Sequence, residues 1–285
     1  MKSAALYGGS FDPPHIGHQA VIEALKKLDF IDKIIIMPTF LNPFKESFHA
    51  DATVRLKWLQ KLFDADPKVE ISSFEVDQQR KVPTIESVLE LQKEFDKIYL
   101  VLGADNLQHL HKWHRFEELK RVVTFIIVTR DAIDIPPHFL KLNVDVKISS
   151  SALREKMEST KLPKKCAQEI MHYYNTRNTM QNRIEKITDI LDKNKAEAIE
   201  VFDLREKNYF VDYAIIASSL GPKHTLALLD HLKKGLKPEE TFNNVDESGD
   251  WIVIDLGDIL IHIMTPEYRI KYDMESFLSE LANKN

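Results

Sequence analysis

Gly8-Gly9-Ser10-Phe11-Asp12-Pro13-Pro14-His15-Ile16-Gly17-His18 is the stretch on which the fold turns. It follows an apolar run, Ala4-Ala5-Leu6-Tyr7, and precedes a helical pattern, Val21-Ile22-Glu23-Ala24-Leu25. The order is therefore strand, glycine turn, two histidines, helix. The chain of 285 residues has eight glycines, and three of them, Gly8, Gly9 and Gly17, fall within ten positions here. That clustering suggests backbone demands which other residues do not meet. A helix N-terminus behind a glycine turn presents free N–H groups and a favourable dipole to an anion. Two histidines three apart add donors for phosphate oxygens. The segment predicts a cradle for a nucleoside triphosphate.

Strands and helices alternate on either side of this segment. Strand patterns lie at 3–7, 33–37, 69–72, 99–102, 123–128 and 144–148, and helical patterns at 15–28, 52–63, 84–94, 116–121, 152–158 and 163–174. Such alternation predicts an α/β domain with a parallel sheet covered on both faces. Ligands in these folds bind at the carboxyl ends of strands. Three polar segments leave strands at that edge: Gly8–His18, Gly103-Ala104-Asp105 and Ser149-Ser150-Ser151. Asn175–Asn182 has no apolar periodicity and reads as a linker. Beyond it lie a helix at 183–193, strands near 199–203, 211–217, 251–255 and 258–264, and a helix near 223–234. Gly257-Asp258 between the last two strands is a hairpin signal. This predicts a small α/β domain of mixed sheet.

Composition narrows the possibilities. No apolar run reaches the ~20 residues of a membrane helix, and no signal peptide is expected, so the cytoplasm is the expected compartment. One cysteine, Cys166, excludes an internal disulfide and a cysteine-rich zinc site. Residues 1–178 carry 26 Lys and Arg against 24 Asp and Glu, a net +2, whereas 179–285 carry 13 against 20, a net −7. The acidic part suits a basic protein partner better than a phosphate backbone, although solubility alone accounts for such a charge. His15, His18 and Asp12 also admit a metal-site reading, but the glycine turn favours phosphate. His109, His111 and His114 lack a recognised ligand spacing, and no metal site built by the protein is expected.

Gly8–His18 resembles the HxGH signature of the nucleotidyltransferase superfamily. Ile148-Ser149-Ser150-Ser151-Ala152-Leu153-Arg154 resembles its second signature, ISSTxxR, with Ser151 in place of threonine. The resemblance covers residues 1–177 and implies a Rossmann-like nucleotidyltransferase domain that transfers an adenylyl group from ATP. It implies His15 and His18 as catalytic contacts to the α/β-phosphates. It assigns Gly8, Gly9, Ser10, Phe11, Lys45, Ser149, Ser150, Ser151 and Arg154 to ATP and phosphate, with Mg2+ carried on the triphosphate. Gly103-Ala104-Asp105-Asn106-Leu107 and Trp113 resemble the GxDxLxxxxxW segment of nicotinate-mononucleotide adenylyltransferases. Val82-Pro83-Thr84-Ile85-Glu86-Ser87 resembles their SYTxxT segment, with Val82-Pro83 and Ser87 as departures. Thr84, Gly103, Asp105 and Trp113 are then the expected contacts to nicotinate mononucleotide. Asn42-Pro43-Phe44-Lys45 resembles their PHK element, with Phe44 for histidine, and Arg55 in the following helix is a further phosphate candidate. Nicotinamide mononucleotide and phosphopantetheine are the alternative acceptors.

Residues 183–285, after a linker at 178–182, resemble the ribosomal silencing factor (Iojap-like) family. The match rests on Ala196–Leu204, Phe210–Ser218, Gly249–Asp258, and His262 through Asp273. It implies a non-enzymatic module that binds a large-subunit ribosomal protein at the intersubunit face and represses translation. A homo-oligomer is also conceivable, and the competing reading of the whole chain is a non-catalytic ribosome-binding protein. His262, Glu267, Arg269 and Asp273 lack an accompanying nucleophile, so structural or partner contacts are expected of them.

Overall fold

A computed structural model describes residues 1–45, 47–129, 134–144, 146, 148–205 and 207–283. Contacts divide the chain into two units, Met1–Asn175 and Thr176–Asn285. The elements of the first are β1 (Ser3–Gly9), α1 (Ile16–Lys26), β2 (Lys33–Pro38), α2 (Ala52–Phe63), β3 (Val69–Ile71), α3 (Phe74–Asp77), α4 (Thr84–Leu91), β4 (Lys97–Gly103), a 3-10 helix (Ala104–Lys112), α5 (Phe116–Val122), β5 (Val123–Val128), β6 (Leu140–Leu142), α6 (Ser150–Glu155), a 3-10 turn (Ser159–Lys161) and the start of α7 (Ala167–Lys193).

Among the described residues the first unit forms a six-stranded sheet in the order β3-β2-β1-β4-β5-β6. Every pairing in it is parallel. Neighbouring residues of β1 serve opposite faces. Ala5 joins Val21, Ile22 and Leu25 of α1 and Trp58 and Leu59 of α2. Ala4 and Leu6 join Ile85 and Val88 of α4 and Leu119 of α5. Continuous apolar strands follow from that double burial. From β1 the chain builds outward through β2 and β3, then crosses to β4, β5 and β6. The crevice between the carboxyl ends of β1 and β4 is the topological switch point, where open α/β sheets take their ligands.

Two sequence expectations are corrected here. The sixth strand is Leu140–Leu142, which pairs with Ile126–Val128, not 144–148. Residues 145 and 147 lie outside the described residues, and Val144, Val146 and Ile148 are not in a strand. These three alternate apolar residues line the cavity described below, which explains their β-like pattern. The expected linker at 178–182 is helical, within α7. Ile170 and Tyr174 are buried in the first core and Ile184, Ile187 and Leu191 in the second. The polar stretch between them contains no Gly or Pro to break the helix, and an established helix propagates readily. The contact boundary falls at Asn175/Thr176, two residues before the expected end of the first domain at 177.

The second unit continues with β7 (Glu197–Asp203), β8 (Tyr213–Ser218), α8 (Pro222–Leu236), β9 (Asn244–Glu247), β10 (Trp251–Asp255), β11 (Ile259–Met264), α9 (Pro266–Tyr272) and α10 (Met274–Asn283). Its sheet order is β7-β8-β11-β10-β9. The β8–β11 pair is parallel and the others are antiparallel, a mixed sheet. Gly257, at φ 96°, makes the β10–β11 hairpin turn, a backbone region that favours glycine. The short polar edge strand β9 has no apolar pattern and was not foreseen. One sheet face packs on Leu228, Leu229 and Leu232 of α8 and on Ile184, Ile187 and Leu191 of α7. The other carries Ala214, Ile216, Leu260 and Met264 against Leu278 of α10.

Arg269 holds this second face together. Its guanidinium donates to the Ala198 carbonyl at 2.6 Å, Ser218 Oγ at 2.9 Å, Glu200 at 2.8 Å, and Glu275. A planar fork of donors suits such a junction between α9, α10 and two strands. His262 is buried on β11, and its Nδ1 accepts the Trp251 indole N–H at 3.2 Å. Its Nε2 is a buried atom without a partner. Burial pushes the His262 pKa down to about 4. The unfolded chain therefore binds a proton near pH 6.5 that the folded chain refuses until about pH 4. This unit should lose roughly 3 kcal/mol of stability as pH falls through that window. Thermal unfolding of the intact chain with His262→Gln should show a flatter pH dependence. An unchanged slope between pH 6.5 and 4 would exclude His262 as the cause.

Candidate active site

His15 ends the glycine turn as the N-cap of α1, with extended backbone. The His18 N–H donates to His15 Nδ1 at 3.3 Å, and the His15 N–H donates to His18 Nδ1 at 3.1 Å. This is a capping box built from imidazoles. The two rings stack, with centroids 3.6 Å apart and 18° between planes. Because each Nδ1 accepts a backbone N–H, a neutral ring carries its proton on Nε2. The cap therefore turns both histidines into Nε2–H donors of fixed orientation.

Gly17 is required by this stacking. A Cβ there would stand 2.9 Å from the His15 ring. Gly8 and Gly9 instead close β1 with no positive φ. The left-handed residue of the turn is Phe11, at φ 49°. A bulky residue in that region carries strain that the surrounding packing must hold. The buried Phe11 ring meets Tyr7 edge-on at 5.4 Å and His18 at 4.8 Å.

The turn is fastened from below by groups that the sequence reading misassigned or passed over. Asp12 Oδ2 and Oδ1 accept the N–H groups of His49 at 2.9 Å and Ala50 at 3.0 Å, and Oδ1 also takes the Tyr174 hydroxyl. That carboxylate is engaged by the protein itself, so it is a poor metal ligand. Among the described residues, no three His, Cys, Asp or Glu side chains converge on a metal position. Burial and the adjacent Asp12 carboxylate push the Tyr174 phenol far above its ordinary range. Arg55, 1% exposed, is not a phosphate ligand. Its guanidinium donates to the carbonyls of Ala50 at 2.8 Å, Ser10 at 2.5 Å, Thr39 at 2.9 Å and Phe40 at 2.9 Å. It ties the glycine turn to the segments after β2.

Ser149 caps α6 by accepting the Ala152 N–H at 3.2 Å. Ser150 Oγ donates to the Pro13 carbonyl at 2.9 Å, and Arg154 donates to the Asp12 carbonyl and to Ser151 Oγ at 3.2 Å. Two sequence segments far apart are thus hydrogen-bonded into one rim.

A cavity of about 510 Å3 opens at the switch point. Gly8, Gly9, Ser10, Phe11, His15, His18, Lys45, Thr84, Gly103, Asp105, Trp113 and Ser149–Ser151 all line it. Of the expected site residues, Arg154 and Arg55 are not on its wall: the Arg154 guanidinium is turned to the rim, and Arg55 donates to backbone carbonyls beneath the turn. Lys45 is exposed at one end. Partial burial, Arg154 and, less strongly, Arg55 hold its pKa below the ordinary lysine value, against the opposing pull of Asp12. Cations crowded in this way repel one another, and a polyphosphate between them relieves the repulsion. Thr84 opens α4 behind Pro83. Trp113, half-buried, ends the 3-10 helix. His109 and His111 are exposed on that helix, and His114 reaches the cavity.

Glu75 is the lining residue with no sequence signal. It is 6% exposed on α3, and Ser87 Oγ donates to its Oε1 at 2.7 Å. Burial raises its pKa to about 7.

A parallel sheet of this order, with an imidazole-capped turn and a serine rim at its switch point, defines a nucleotide-handling α/β protein. Residues 6–156 match the cytidylyltransferase-like family, over more than half of the chain, and the chain belongs to that family. Residues 177–284 match the family "Ribosomal silencing factor during starvation". A protein of Sulfurimonas denitrificans named "Probable nicotinate-nucleotide adenylyltransferase" is 58% identical over 174 residues, 61% of this chain and 96% of the relative. Its namesakes from Campylobacter jejuni and Campylobacter fetus are 51% identical over 173 residues and 46% over 176. These cover 60% and 61% of this chain and 95% and 97% of the relatives. Among the described residues no helix is long and apolar enough to cross a membrane.

Proposed function

We propose that Met1–Asn175 is a nicotinate-nucleotide adenylyltransferase, joining ATP and nicotinate mononucleotide into nicotinate adenine dinucleotide with release of pyrophosphate. The carrying observation is the reciprocal His15–His18 cap, which aims two imidazole donors at the switch-point cavity. The names of relatives up to 58% identical support the choice of acceptor.

In this reading a phosphate oxygen of the mononucleotide attacks the α-phosphorus of ATP. The new P–O bond replaces the bond to the β-phosphate oxygen, and pyrophosphate carries away the charge. No covalent intermediate on the protein is required, so the chain supplies position and charge. His15 and His18 donate to the oxygens on which charge develops. Lys45 and the Ser149–Ser151 rim, braced by Arg154, hold the departing end. Trp113 offers an indole face to the pyridine ring. Mg2+ enters as the counter-ion carried by ATP, held by phosphate and water rather than by a protein cage.

For Thr176–Asn285 we propose docking on a large-subunit ribosomal protein and repression of translation. The family match supports it, and the −7 charge of residues 179–285 suits a basic partner. Co-sedimentation of the intact chain with large subunits tests this. Binding that weakens with salt is expected, and no binding at low salt contradicts it. This chain would thus join NAD synthesis to a translational brake, and it lies in the cytoplasm on that account.

A further inference from the structure

Resting on the adenylyl-transfer reading, we infer that Glu75 reads the 3-substituent of the pyridine ring: as a neutral acid it donates a hydrogen bond to a carboxylate, and as an anion it repels the carboxylate and accepts from an amide. Glu75 is therefore a specificity-determining residue.

The placement carries this. Glu75 and Thr84 line the same cavity as Trp113. Ser87 lies one turn along α4 from Thr84, on the same side of the helix, and its hydroxyl holds Glu75 Oε1 at 2.7 Å. Glu75 is therefore tied to the first turn of α4, on the wall of the cavity that Trp113 also lines. Oε2 has no hydrogen-bond partner among the described residues, and the residue opens onto the cavity. A buried carboxyl group on a cavity wall, with one oxygen held by Ser87, is poised to donate or accept there through the other.

The electrostatic surroundings keep both protonation states within reach. α3 packs on β2 and α2, but none of the charges on those elements, such as Lys33 or Arg55, acts on Glu75. Among the described residues, the charge that does is Glu86 of α4, itself paired with Arg80 at 2.5 Å. Burial is the main cause of the raised Glu75 pKa, near 7, and the Ser87 bond opposes it. A charge-assisted bond from a neutral Glu75 to a nicotinate carboxylate is about twice as strong as one to a neutral amide carbonyl. Above the titration the order reverses, because two carboxylates in one site disfavour each other.

The test is the pH dependence of one ratio. kcat/KM is measured for nicotinate and nicotinamide mononucleotides with the full chain from pH 5.5 to 8.5. Titration of the shared phosphate and of ATP cancels in the ratio. In the wild type the acid-to-amide ratio is expected to fall at least about tenfold across this range. In Glu75→Gln, whose amide donates at every pH, it should stay flat. Ser87→Ala should move the midpoint to higher pH. A pH-independent wild-type ratio, or an unchanged slope in Glu75→Gln, overturns the inference while leaving adenylyl transfer in place. Should Glu75→Gln not fold, calorimetry in two buffers of different ionisation enthalpy decides. Near pH 7.5, proton uptake by the wild type should be greater with the nicotinate than with the nicotinamide compound. Equal uptake overturns the inference. No turnover of either compound at any pH removes the adenylyl-transfer reading, and this inference with it.

Discussion

Replacing His18 by alanine is expected to lower kcat about 10²–10³-fold with the fold retained. The Nε2–H donor is useful chiefly when charge builds on the transferred phosphate, so kcat and kcat/KM should fall together. The variant also loses one half of the reciprocal cap, which costs about 1 kcal/mol. That is a small shift in Tm beside the kinetic loss. Single-turnover rates and a melting curve separate the two. Wild-type turnover in His18→Ala would remove the histidine from the chemistry. A collapse of Tm would reassign it to structure.

The second large effect concerns stability. Arg55→Ala should destabilise the first unit by about 3–5 kcal/mol, because it leaves carbonyls without a donor and a cavity where a buried side chain stood. At roughly 2–4 °C per kcal/mol, the first unfolding transition should drop by ~6–20 °C. Four carbonyls lose their donor at once. Arg55→Lys should recover little, because a single ammonium does not span the positions that a planar fork reaches. A wild-type melting temperature in Arg55→Ala would show that the clamp is not needed to hold the turn.

These two residues show where sequence reading succeeds and where it stops. His15, Gly17 and His18 are local: their spacing alone sets the cap, and the clash a Cβ at Gly17 would make explains the glycine between them. The alternating elements were legible for the same reason, since strand and helix periodicity is a short-range property. Arg55 and Asp12 act across long separations. Arg55 meets Ser10 at 45 positions' distance, and Asp12 meets Tyr174 at 162. Nothing near Arg55 in the chain distinguishes a buried clamp from a surface cation. Val144, Val146 and Ile148 carried a strand's pattern because a cavity wall also selects alternate apolar residues. Asn175–Asn182 lacked a helical face because only Arg177 and Met180 in it are even partly buried. Glu75 in Ser73-Phe74-Glu75-Val76-Asp77 reads as one more surface acid until Ser87 is placed against it.

The central claim is that the switch-point cavity joins two nucleotides. Purified full-length chain is mixed with ATP, Mg2+ and nicotinate mononucleotide, and the products are separated and weighed by mass spectrometry. The account predicts nicotinate adenine dinucleotide and pyrophosphate in equal amounts, dependent on both substrates and suppressed in His18→Ala. Folded wild-type chain that forms no dinucleotide, or that releases pyrophosphate without a mononucleotide, would contradict it.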